Sequence, residues 1–148
     1  MALGKLPERL YPIAMETLFT KIANGQIPST KLYEDEFCFV IMDINPVKKG
    51  HSLVISRNPY PNMASCPDEI LTHMLLVAKK VEARQRAVLG NQGSNIIINN
   101  DPASGQEVPH IHIHVIPRYD GDGRKHFQDH DKYEDGEMQA LGAKLALS

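Results

Sequence analysis

The chain has few cysteines, no long apolar run and no excess of one charge. Its two cysteines, Cys38 and Cys66, lack a CxxC partner, so neither a disulfide scaffold nor a cysteine zinc knuckle is indicated, and a reducing, cytoplasmic setting is expected. No apolar stretch approaches the ~20 residues of a membrane helix, so no membrane partner is expected. Residues 1–15 carry Lys5, Glu8, Arg9 and two prolines without a continuous apolar centre, and read as a loose arm rather than a secretory signal. A net charge of −2 with both signs interspersed gives no footprint for a nucleic-acid polymer, which leaves a small ligand as the better partner. No internal repeat is visible.

What is present is one domain's worth of chain: 148 residues, 42% hydrophobic and 23% charged. Its body is expected at about residues 17–118, with the arm before it and an extension over 120–148. Thr17 to Gly25 reads as a short helix with Thr17 as N-cap and Gly25 as stop. Ser65 and Asp68 form a capping-box-like pair ahead of a long helix over 66–89, whose apolar stripe includes Ile70, Met74, Val77 and Val81 and which Gly90 closes. Strands are expected at 31–34, 36–42, 50–56, 95–100 and 110–118, and a short terminal helix over 138–147. One long and one short helix beside five strands in hairpin and meander order predict an α+β fold with a mainly antiparallel sheet.

The most informative segment is His110-Ile111-His112-Ile113-His114-Val115-Ile116. Histidine at every second position puts all three imidazoles on one strand face and Ile111, Ile113 and Val115 on the other. His110 and His114 are about 13 Å apart along such a strand, too far for one metal ion whose ligand bonds are about 2 Å. A His-x-His pair completed by His51 stays open as a metal half-site, and a cluster without any role is the bland reading. Nucleophilic catalysis fits better. Neighbouring imidazoles disfavour one another's protonation, so the central ring stays an unprotonated nucleophile near neutral pH. The loop just before the strand offers the Gly105 and Gln106 N–H groups and the Gln106 amide as donors for anionic oxygens.

This seven-residue run resembles the signature of the histidine triad superfamily. Phe19–Pro28, Tyr33-Glu34-Asp35, Asp43-Ile44-Asn45-Pro46, Gly50–Ile55 and Gly105–His110 agree in order, so the likeness runs from about Phe19 to Arg118 and is closest to the histidine triad nucleotide-binding branch. The resemblance implies a hydrolase of purine nucleoside phosphoramidates (an adenylate joined to an amine or to lysine), working through a nucleotidyl-histidine intermediate. His112 would be the nucleophile, with His114, His110 and His51 in support. Asn99, Gly105, Gln106 and Glu107 would meet phosphate or assist the leaving group, Asp43 the ribose, and Phe19, Ile22, Ile44 and Leu53 the purine of a ligand such as AMP or GMP. A homodimer and no cofactor are implied. Hydrolysis of dinucleoside polyphosphates, nucleotidyl transfer, and nucleotide binding with incidental turnover are the competing readings. Many microbial relatives carry two zinc-binding cysteines where this chain has Thr17 and Thr20, so no metal is expected. The pair His126 and His130 is read as solvated surface.

Overall fold

The computed structural model describes residues 16–125 and 130–147, so the expected arm at 1–15 and His126 lie outside the described residues. The elements in chain order are α1 (Leu18–Ala23), β1 (Lys31–Glu34), β2 (Cys38–Met42), β3 (Ser52–Ser56), α2 (Asp68–Leu89), β4 (Gly93–Ile97), β5 (His112–Arg118) and α3 (Glu137–Leu145), with a 3₁₀ turn at Pro102–Ser104. The strands form one sheet in the order β1-β2-β3-β5-β4, with every pairing antiparallel. The expected α+β class is therefore the observed one, with α3 as the third helix.

Period-two alternation divides the sheet into two working faces. Val40, Val54, Ile113 and Val115 point to one side and meet Ile70, Met74 and Val77 of α2 in the larger core. Fully burying side chains of this size contributes about 1.5–3 kcal/mol each. Phe39, Ile41, Leu53 and Ile55 point to the other side and pack with Phe19 and Ile22 of α1. The β3–β5 register sets Leu53 opposite His114 and Ile55 opposite His112, so both strand histidines sit on the α1 face. α1 is only six residues long. It persists because Thr17 caps it through a reciprocal bond with Thr20 and because its apolar side closes the second core.

Several boundaries differ from expectation: β2 and β3 each begin two residues late, at Cys38 and Ser52, and three other differences have a local reason. α2 begins at Asp68 and has no Ser65 cap; the residue before a proline is kept out of helical conformation, so Pro67 at φ −58° becomes the N-cap. Ser65 instead closes a turn with Asn62. β4 starts at Gly93 opposite Arg118 and ends at Ile97 opposite His114, two residues earlier at its start and three earlier at its end than expected, which leaves Asn99 beyond the ladder. β5 starts at His112, because the His110 N–H turns back to the Val108 carbonyl and Ile111 bonds Tyr60 outside the ladder. Gly90, at φ +68°, ends α2 as expected.

Candidate active site

The α1 face of the sheet opens into a cavity of about 470 Å³, bounded by α1, the Asp43–Asn45 turn, Asn99, the 105–108 loop and the rings of His51, His112 and His114. Phe19, Ile22 and Leu53 form its apolar wall and are buried in the second core at the same time. Ile44 stands at the mouth with 90% of its surface exposed. The Asn45 N–H donates to Asp43 Oδ1, and the Asp43 N–H donates to the His51 carbonyl, so the turn after β2 presents the other carboxylate oxygen 3.6 Å from His51 Nε2. Asp43 thus closes its turn and faces the cavity together.

Hydrogen bonds fix the proton on each ring. His112 Nδ1 lies 2.7 Å from the His110 carbonyl, an acceptor only, so the neutral ring carries its proton on Nδ1 and keeps a lone pair on Nε2. His51 Nδ1 accepts the Val47 N–H at 3.1 Å, which leaves its proton on Nε2. That proton is donated to His114 Nδ1 across 2.9 Å, so His114 is protonated on Nε2. One site therefore holds a bare nitrogen on His112 and an N–H on His114, with ring centroids 4.9 Å apart.

Burial favours the neutral form of all of these rings. It lowers His112 below the ordinary imidazole value, against the opposing pull of the His110 carbonyl and of the Asp43 and Glu107 carboxylates. His114 is pushed down to about 4 by burial and then by its neighbours His112 and His51. Burial also lowers His51, with Asp43 opposing. His110 falls to about 4 for the same first reason.

The expected residues are brought together except in two respects. His110 does not line the cavity: its fully buried ring is held between Thr17 Oγ1 and the Ser56 carbonyl, and it reaches the site through its own backbone carbonyl. Gln106 does not line it either. Its Oε1 accepts the Asp101 N–H at 2.7 Å and its Nε2 donates to the Pro61 carbonyl at 2.7 Å, so the side chain braces the loop. The N–H groups expected as a phosphate cradle are also spent, Gly105 on the Pro102 carbonyl and Gln106 on the Asp101 carbonyl. The 3₁₀ turn uses them to close itself. The next two N–H groups, of Glu107 and Val108, have no acceptor among the described residues and belong to cavity-lining positions. Sequence reasoning missed this displacement, and also missed Thr17 as a partner of His110; the only signal for Thr17 was its cap position.

Two groups bring metal-ligating atoms together among the described residues. In Asp43, His51 and His114, an ion would have to displace the proton that the two rings share. In Asp35, Cys38 and His73, the carboxylate already accepts from Tyr33, His73 and the N–H groups of Phe37 and Cys38. Burial works against its ionisation, yet these donors hold Asp35 well below the usual carboxylate range.

The family model described as the HIT domain matches residues 24–121. An uncharacterized HIT-like protein of Methanocaldococcus jannaschii is 46% identical over 107 residues, covering 72% of this chain and 81% of that protein. The adenylylsulfatase HINT3 of Arabidopsis thaliana is 39% identical, covering 72% of this chain and 54% of its own length. The adenosine 5'-monophosphoramidase HNT1 of Saccharomyces cerevisiae is 34% identical, with 70% and 63% covered. Among solved structures, a HIT family protein of Bacillus anthracis superposes with a TM-score of 0.79 at 33% identity, covering 89% of this chain and 96% of that one.

Proposed function

The chain belongs to the HIT domain family, and from that membership and the chemistry of the cavity we propose that it hydrolyses the P–N bond of purine nucleoside 5'-phosphoramidates. The observation that carries the reading is the unprotonated Nε2 of His112, fixed by the Nδ1–H bond to the His110 carbonyl, in a cavity large enough for a nucleotide. Nε2 attacks the α-phosphorus, a nitrogen–phosphorus bond forms, and the P–N bond to the amine breaks. The departing nitrogen takes a proton from a water and leaves as the neutral amine while the neutral His114 donates a hydrogen bond through its Nε2–H and keeps its proton, and the His110 carbonyl stabilises the His112 ring as it becomes cationic. The hydroxide left from that water then attacks phosphorus, returns the bond electrons to His112 Nε2 and leaves the nucleoside monophosphate.

Charge favours this substrate over polyphosphates. Among the described residues the cavity lining contains no Lys or Arg, and its charged side chains are the carboxylates of Asp43 and Glu107. A phosphoramidate brings one negative charge at phosphorus and an amine that leaves readily once its nitrogen is protonated, whereas a dinucleoside polyphosphate brings several negative charges that no described lining residue neutralises. HNT1 is an adenosine 5'-monophosphoramidase and HINT3 an adenylylsulfatase, and these two activities support attack on an adenylyl substrate with different leaving groups. In this reading Asp43 takes the ribose hydroxyls, Phe19, Ile22, Ile44 and Leu53 wall the purine, and Asn99 with the Glu107 and Val108 N–H groups meets phosphate oxygens.

The test is a panel of adenosine and guanosine phosphoramidates, adenosine phosphosulfate and dinucleoside polyphosphates, run on the wild type and on His112→Ala. Turnover of the phosphoramidates is expected to be fastest. It is lost in the variant while nucleotide affinity stays within about tenfold, because binding and chemistry use different groups. A variant that keeps turnover, or a wild type that prefers polyphosphates, overturns the reading.

A further inference from the structure

Thr17 Oγ1 accepts the Thr20 N–H at 3.2 Å as the α1 cap and lies 2.6 Å from His110 Nδ1. The other His110 nitrogen, Nε2, lies 2.6 Å from the Ser56 carbonyl, which has no proton to give. His110 Nε2 is therefore the protonated atom, Nδ1 holds a lone pair, and the Thr17 hydroxyl must donate to it. Thr17 is 8% exposed and the His110 ring 0%, so water competes for neither bond. A ring gripped at both nitrogens cannot turn, and the carbonyl of the same residue accepts the His112 Nδ1–H at 2.7 Å.

Two residues along α1, Phe19 stands edge-on to both rings, with centroids 5.5 Å from His110 and 4.9 Å from His112. The cap of α1 is thus joined by an unbroken set of buried contacts to the nitrogen that must stay bare. We propose that Thr17 is a positioning residue for His112: its hydroxyl locks the His110 ring, and through the His110 carbonyl it keeps the His112 proton on Nδ1 and the lone pair on Nε2. This rests on His112 as the nucleophile. A helix cap alone requires only an acceptor for the Thr20 N–H; the donated proton to His110 is what the cap does not need.

The experiment compares Thr17→Val, which keeps the shape and loses the hydroxyl, with Thr17→Ser, which keeps the hydroxyl, using phosphoramidate kinetics and ¹⁵N NMR of the histidine rings. In Thr17→Val, kcat is expected to fall by about tenfold or more with KM little changed, the rate equivalent of one hydrogen bond. The His112 ring resonances shift from a single Nδ1–H tautomer to a mixture, and Thr17→Ser restores both. If Thr17 is only a cap, Thr17→Val lowers thermal stability but keeps kcat and the His112 tautomer, and the proposal is overturned. The wild-type spectrum is a test that needs no variant: a proton on His110 Nδ1 rather than Nε2 overturns it even where Thr17→Val does not fold. Because the NMR arm reads the rings directly, a wild type that leaves phosphoramidates uncleaved refutes the proposed function without deciding the Thr17 relay.

Discussion

Acidifying the protein from pH 7 to about 4 should destabilise it in a window that belongs to its buried histidines. His110 and His114 each fall from an ordinary value of 6.5 to about 4 in the folded chain, with burial as the leading cause. The unfolded chain therefore binds protons below pH 6.5 that the folded chain refuses. Stability contributed by neutral burial is fully present above 6.5 and is lost as pH falls toward 4. At 1.36 kcal/mol per pH unit, a displacement of about 2.5 units is worth about 3 kcal/mol for the enclosed His110. It is worth less for His114, whose ring borders the open cavity. Together they remove roughly 5 kcal/mol, a large share of the 5–15 kcal/mol that holds a typical domain. Asp35 and Asp122, both held below the usual carboxylate range, add their own loss only below about pH 4, so the two windows separate. Urea unfolding at stepped pH measures the slope, expected to reach at least about 2 protons taken up per molecule in mid-window, since His112 and His51 are lowered in the same direction, and to drop by about one in His114→Gln. A midpoint unchanged between pH 7 and 5 would refute the reasoning.

The same neutrality shapes the rate profile. In the proposed mechanism the His112 nucleophile must be unprotonated, and burial lowers His112, so kcat/KM for a phosphoramidate is expected to stay flat as pH falls through 6.5 and to decline only on a more acidic limb; an acid limb at 6.5 or above counts against a desolvated ring. Gly50 precedes His51 with φ +97°, and an added Cβ would lie 2.6 Å from Leu89 Cδ1. Because the Leu89 side chain is partly exposed and able to yield, most of the cost of Gly50→Ala is backbone strain, about 1–3 kcal/mol, read by urea unfolding at neutral pH. A change below about 0.5 kcal/mol would show that the turn tolerates a side chain there.

How much was legible in the sequence depended on whether a residue's role is set by its own period or by a distant partner. The alternation at His112, Ile113, His114 and Val115 is a statement about two sheet faces, and the ladder to β3 realises it directly, with Leu53 and Ile55 opposite the histidines. The α2 stripe is likewise local: Ile70, Met74 and Val77 meet the sheet because the helix repeats every 3.6 residues. Local turn chemistry was misjudged where a neighbour overrules a propensity, as Pro67 does to the Ser65 cap.

The site itself was legible as a set of residues and not as a set of bonds. Gln106 offers two amide groups to any reader of the sequence, but which partners claim them is settled by Asp101, five residues upstream, and Pro61, 45 residues upstream. Once those bonds exist, the amide no longer belongs to a substrate, and the donors left over are the two N–H groups that follow it. His110 shows the same logic over a longer span. Its place in the period-two run suggests a third ring facing substrate, yet Thr17, 93 residues away, and Ser56, 54 residues away, claim both of its nitrogens. The triad thus divides its labour by hydrogen-bond partner rather than by sequence position: His112 and His114 present nitrogens to the cavity, and His110 gives its ring to the scaffold and its carbonyl to His112.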